Sequence, residues 1–219
     1  MDSPSEDAPL LGLVDLTHAA LEGNEPLHVM NVQGGASALF LRSLARPKNQ
    51  TAPSLVVALT ASVEDSQALT DDLSALAPDL RTVLLPAPEN TPYDGVRPDR
   101  RISLARAAAL VRLDRREVDV LVVPAAAWLR KAVPAHLLAQ TTIELRVGER
   151  IDLGTLPTRL EAGGYQRARV VEDPGSFAIR GSLLDLWPPS ENAPVRAELD
   201  FEELASLKSF DPETQRSDA

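Results

Sequence analysis

With 219 residues, 44% of them hydrophobic and 25% charged, the chain has the make-up of a soluble globular protein and room for one large domain or two smaller ones. A formal net charge of −10 argues against broad, sequence-independent nucleic-acid binding, which runs on phosphate neutralisation, and suits a protein that meets other proteins. The absence of cysteine excludes disulfides and thiolate metal sites, and His18, His28 and His136 stand too far apart in sequence to suggest a histidine site, so neither metal nor cofactor is expected.

Residues 1–9 read as an acidic, disordered tail without the basic start of a secretion signal. No window approaches the ~18 uninterrupted apolar residues of a membrane helix, so the expected location is the cytoplasm, with no membrane partner. Leu10 to Leu21 is helix-like. From Leu27 strands and helices alternate in the manner of an open α/β domain. Leu27 to Met30 reads as a short strand, Gly34-Gly35 as a turn, and Ala36 to Ala45 as a helix ended by Arg46-Pro47. Leu55 to Leu59 is a buried strand. Ser62 caps a helix to about Leu76, with Glu64 and Asp65 in its first turn and Pro78 just past its end. Thr82 to Leu85 is a strand, Pro86 to Pro98 a proline-rich loop, and Asp99 the cap of a long helix to Leu113. Val118 to Val123 completes a set of strands that, interleaved with helices, predicts a mostly parallel sheet. Trp128 to Lys131 reads as core plus a helix end.

Near residue 138 the pattern changes. Thr142 to Val147 alternates, Leu153 to Ala162 is a helix capped by Gly163-Gly164, and short strands follow. The expected organisation is a parallel α/β domain over 10–138, a smaller mixed α+β domain over 139–209 and a connector over 210–219. In the second domain Phe177 and Ile179 oppose Ala178 and Arg180, with Gly181 breaking the run as a bulge or a point of close approach. Leu184 and Leu186 alternate with Leu183, Asp185 and Trp187, and Val195, Ala197 and Leu199 oppose Arg196 and Glu198. By periodicity alone this is an antiparallel sheet with one solvated face.

Nineteen arginines against three lysines suit either an arginine-based recognition surface or a GC-rich coding bias. Arg97, Arg100, Arg101, Arg112, Arg115 and Arg116 bracket the long helix, with Asp94, Asp99, Asp114, Glu117 and Asp119 among them. That mixture reads as a self-neutralising face, with direct DNA contact as the rival. No nucleophile elbow, triad or acid–base pair is visible.

The stretch Gly175-Ser-Phe-Ala-Ile-Arg-Gly-Ser-Leu-Leu-Asp-Leu-Trp-Pro188 continues through Pro194-Val-Arg-Ala-Glu-Leu199 to Phe210-Asp-Pro-Glu-Thr-Gln-Arg216. It resembles the second domain of the UvrB-homology module at the N-terminus of bacterial transcription-repair coupling factors (Mfd). Thr91-Pro-Tyr-Asp-Gly95, Arg101-Ile-Ser-Leu-Ala-Arg106, Val122-Val-Pro124 and Trp128-Leu-Arg130 follow that module in the same order, so the resemblance runs from about residue 27 to 217. It implies a degenerate P-loop, helicase-like first domain, a UvrA-binding second domain and a connector over 210–219 that returns to the first domain. Laid on the UvrB pattern, Gly34 and Gly35 fall in the nucleotide loop, Ser37 takes the lysine place and Ala38 the threonine place. The main phosphate charge and the Mg²⁺ ligand are thereby lost, and no ATP hydrolysis is expected. There is no room after Tyr93-Asp94 for the aromatic hairpin with which UvrB clamps damaged DNA.

The resemblance further implies that Arg167, Arg180, Arg196 and Glu198 form a surface that docks on UvrA. The competing reading is an intramolecular ladder pairing Arg180 or Arg196 with Glu198 or Asp185. Ala178 stands where UvrB has a further arginine, and Trp187 fits core or rim equally. The expected role is non-catalytic recruitment of UvrA in nucleotide excision repair. RNA polymerase and DNA are partners of the full family through domains outside these residues. The rival readings are a divergent ATPase built on Gly34-Gly35 and a DNA-binding module.

Overall fold

The computed structural model describes residues 34–46, 55–88, 94–96 and 99–217, with positions 12, 20, 26–30, 32 and 90. The expected helix over Leu10 to Leu21 lies almost wholly outside the described residues, as does the acidic tail. The chain divides into two compact units, 1–84 with 116–128, and 85–115 with 129–219.

The first unit contains helix α1 (Ala36–Ala45), strand β1 (Val56–Thr60), helix α2 (Val63–Leu76), strand β2 (Thr82–Leu84), strand β3 (Val120–Pro124) and a short helix α4 (Ala125–Trp128). Its three strands form a parallel sheet in the order β1-β3-β2. The middle strand, Val-Leu-Val-Val-Pro, is buried along its whole length, as a strand flanked on both sides requires. Val120 and Val122 meet Ala38, Ala45, Leu73, Ala77 and Leu80 in one core. Helix α2 begins where its sequence predicts, because the Ser62 hydroxyl accepts from the Asp65 backbone N–H at 3.0 Å. At the foot of β3 the Asp119 carboxylate is 1% exposed. Arg81 donates to it from Nη2 at 2.7 Å, Nε at 3.1 Å and its backbone N–H at 2.8 Å, and Arg46 adds a contact at 3.2 Å. These donors, Arg81 first, hold its pKa far below the usual carboxylate range. Asp119 is thus a buried lock between a helix end and two strands, not part of a solvated face.

Three further expectations fail here, the first being a buried strand over Leu55 to Leu59: β1 lies at the sheet edge and leaves Val57 43% and Leu59 58% exposed. Leu27 to Met30 forms no strand: Leu27 and Met30 are 40% and 50% exposed and the segment finds no ladder partner among the described residues. Trp128, expected in the core, is 58% exposed, since it ends a four-residue helix whose buried member is Ala127.

The second unit holds helices α3 (Arg100–Asp114), α5 (Ala135–Thr141) and α6 (Leu156–Ala162), and strands β4 (Gln166–Arg167), β5 (Ser176–Arg180), β6 (Leu183–Leu186), β7 (Val195–Asp200) and β8 (Glu203–Ser209). The strands form one sheet in chain order, parallel between β4 and β5 and antiparallel elsewhere. Asp99 caps α3, its carboxylate accepting from the Arg101 N–H at 2.6 Å. Where the sequence starts α6 at Leu153, the helix begins at Leu156, because the Asp152 carboxylate instead closes a turn onto the Gly154 N–H and the Thr155 hydroxyl, both at 2.8 Å. One face of the sheet buries Phe177, Leu184, Leu186, Ala197, Leu199 and Leu204 against Leu156 and Leu160 of α6. Ile143 and Leu145 pack on that core without a ladder partner, so the alternation at 142–147 reports burial and not a strand. Helix α3 belongs with this unit by its contacts: Arg100 bonds Gln166, Arg101 pairs with Asp173, and a Cβ on Gly175 would stand 2.8 Å from Leu104.

Candidate protein-docking face

The alternation read from the sequence places the side chains correctly. Phe177, Leu184, Leu186, Ala197 and Leu199 enter the helix-side core, while Ala178, Arg180, Asp185, Arg196 and Glu198 take the opposite face. Two cross-strand rows run over that face. Ala178, Asp185, Arg196 and Lys208 form one, and Arg180, Leu183, Glu198 and Ser206 the other.

Asp185 is the hub. It is 1% exposed, and Arg196 grips it bidentately, Nε to Oδ1 at 2.7 Å and Nη2 to Oδ2 at 2.9 Å. Arg180, diagonal to it, donates from Nη2 to Oδ2 at 2.5 Å. Two guanidiniums on one carboxylate leave a net positive charge here, and they differ in access. The Arg196 side chain is 13% exposed and that of Arg180 46%.

The face expected to be solvated is partly covered. The segment after β8 folds over it: Phe210 is 1% exposed in a small cluster with Val171 and Ala178, and Trp187 packs against that cluster. Arg196 reaches into this cover, its Nη1 donating to the Gln215 carbonyl at 3.1 Å while its guanidinium lies 4.6 Å from the Phe210 ring centroid. The Asp185 hydrogen bonds first, and the charges of Asp185 and Glu198 with them, raise the Arg196 pKa against the opposing effect of burial. Gln215, itself at a positive φ of 58°, ties the cover back through Nε2 to the Val171 and Pro212 carbonyls. This cover was not legible as local periodicity, because its partners lie from 14 to 44 residues away.

The predicted site residues therefore separate. Arg180, Arg196 and Glu198 share the face, Glu198 exposed and accepting from the Ser206 hydroxyl at 3.1 Å. Arg167 does not join them. On the edge strand β4 it stands opposite Phe177, so the register turns it to the other side of the sheet, where it is exposed. Gly181 is neither bulge nor approach point: it opens the two-residue turn between β5 and β6 with φ +61°.

The nucleotide-loop positions form the start of α1. Gly34 has φ +54°, and a Cβ on Gly35 would overlap the Leu76 side chain, so the second glycine serves helix packing. Ser37 is half-buried, and Ala38, in the threonine place, is 0% exposed inside the core. Arg100, Arg101 and Arg106 of α3, and Arg115 just past its end, are likewise engaged within their own unit. Arg100 and Arg101 are bound as above, Arg106 donates to the Pro86 carbonyl and Arg115 pairs with Glu144. Arg97 lies outside the described residues. Among the described residues no cluster of potential metal ligands occurs, and no helix is long and apolar enough to cross a membrane.

Residues 143–219 match the family described as the UvrB interaction domain. The chain is 30% identical over 196 residues, 90% of its length, to the transcription-repair-coupling factor of Bacillus subtilis (strain 168). It is 37% identical over 171 residues to that of Myxococcus xanthus and 30% identical over 162 residues to that of Escherichia coli (strain K12). The chain spans 16% of the first of these proteins and 14% of each of the other two. The resemblance drawn from its motifs is borne out.

Proposed function

We propose that this chain provides a docking surface for UvrA in transcription-coupled nucleotide excision repair and acts by protein–protein contact, without chemistry of its own. The observation that carries the reading is the half-exposed Arg180 guanidinium, held at one corner by the buried Asp185, in the same cross-strand row as Glu198 with Leu183 between them. A cation fixed by a carboxylate beneath it loses less rotamer freedom on docking than a loose one, and its open N–H groups suit an acidic partner residue. The match of residues 143–219 to the UvrB interaction domain supports the same choice of partner, since UvrA is the protein that UvrB meets through this domain in the resembling family. On this reading Arg180 and Glu198 make the contact, Arg196 supports it from inside, and Arg167 lies apart. The loop at Gly34-Gly35, with Ser37 in the lysine place and Ala38 in the threonine place, supports the non-catalytic assignment.

Titration of the chain onto purified UvrA tests the proposal. Arg180→Ala should weaken binding by about 1–3 kcal/mol, the range for truncating a charged hot-spot residue. Arg112→Ala on α3 should change it by less than about 0.5 kcal/mol, as an interface-remote surface change does. Full-strength binding by Arg180→Ala would remove Arg180 from the contact.

A further inference from the structure

Two hairpin turns stand side by side at one end of the second unit's sheet. The β5–β6 turn is Gly181-Ser182, closed by Arg180 opposite Leu183; the β7–β8 turn is Phe201-Glu202, closed by Asp200 opposite Glu203. The Leu199 N–H donates to the Ser182 carbonyl at 2.9 Å and ties the two together. Both turns need a left-handed first residue. The first uses glycine at φ +61°, as the geometry favours, and the second uses phenylalanine at φ +57°. Phe201 is also 95% exposed. A bulky side chain in that backbone region is unfavourable, and a phenyl ring in water gains nothing from packing. The turn itself is well braced, with the Ile151 N–H on the Glu202 carbonyl at 2.6 Å and Arg150 on the Glu202 carboxylate at 3.1 Å. Phe201 is therefore held out in solvent on a braced support.

We infer that Phe201 is an aromatic anchor that inserts into an apolar socket on the same protein partner that Arg180 meets. The inference rests on the docking reading above and extends it to a specific second contact. Its place is set by the row Arg180–Leu183–Glu198, which is the polar-face row next to these turns, so Phe201 stands at the end of the sheet where the proposed surface ends. Rigid aromatics at the edge of a charged patch supply large contact area at little entropic cost, and a bulky exposed residue at a turn position that glycine would serve better points to a use outside the fold. The acidic neighbours Asp200, Glu202 and Glu203 specify the socket further: it is apolar within and cationic at its rim.

The test uses the whole chain and purified UvrA, with Phe201→Gly, Phe201→Trp and Arg180→Ala measured in parallel by titration and thermal melting. Phe201→Gly should leave the melting temperature unchanged or raise it, because glycine suits the turn, yet weaken binding at least tenfold. Phe201→Trp should keep binding within about threefold, since the indole fills a similar socket. Undiminished binding by Phe201→Gly while Arg180→Ala binds weakly would overturn the anchor and leave the docking face standing. A drop in melting temperature with Phe201→Gly would show that the ring serves the fold and would also overturn it. Failure of the unaltered chain to bind, or full binding by both variants, would remove the docking reading and the anchor together.

Discussion

Arg180 and Arg196 look alike in sequence, each the outward residue of a strand, yet the structure gives them different duties. Arg196 is 13% exposed and bound to a carboxylate that is 1% exposed, whereas Arg180 keeps 46% of its side chain in solvent. Removing one partner from a buried pair leaves its charge uncompensated. Arg196→Ala should therefore destabilise the fold by about 3 kcal/mol, and more if the cover over residues 210–217 is released with it. Arg180→Ala should cost less than about 1 kcal/mol, as exposed pairs do. Urea unfolding of both variants checks this; equal losses would mean that Arg196 is not the internal pin. Periodicity revealed on which face each arginine lies. It did not reveal Phe210 and Gln215 closing over one of them, because that contact spans 14 to 19 residues of intervening chain.

Elements with their own end signals were the most legible. Ser62 and Asp99 start helices where their side chains can accept backbone N–H groups, and both do so in the structure. Strands were less so, since a ladder needs a partner that the local sequence does not name. Leu27 to Met30 and Thr142 to Val147 have strand-like composition and no ladder, while Val120–Pro124 has two neighbours and is wholly buried. The same logic bears on the turn before α1. Its glycines invite a nucleotide-loop reading, but Gly35 makes room for Leu76, and the position that would need a metal-binding hydroxyl is the fully buried Ala38. Calorimetry with Mg-ATP should show no binding at sub-millimolar concentration; micromolar, Mg-dependent binding would restore the ATPase alternative.

At the scale of the whole molecule, local pattern suggested a change near residue 138, while the two compact units divide after residues 84, 115 and 128. The partnership of α3 with the second sheet was not visible in that pattern, since Arg100 and Arg101 reach acceptors 66 and 72 residues further along. The surface that matters is likewise assembled from distant pieces: Arg180 from one hairpin, Glu198 and Phe201 from another, with Asp185 fixing the first from beneath. Contact and charge are what such a face offers, and the docking role we propose for it uses both. If it is the same kind of face that UvrB presents, the two proteins cannot occupy UvrA together. The direct measurement is a titration of this chain onto immobilised UvrA, alone and with saturating UvrB. Saturable binding that UvrB abolishes is the expected result; no binding, or binding indifferent to UvrB, would contradict the account.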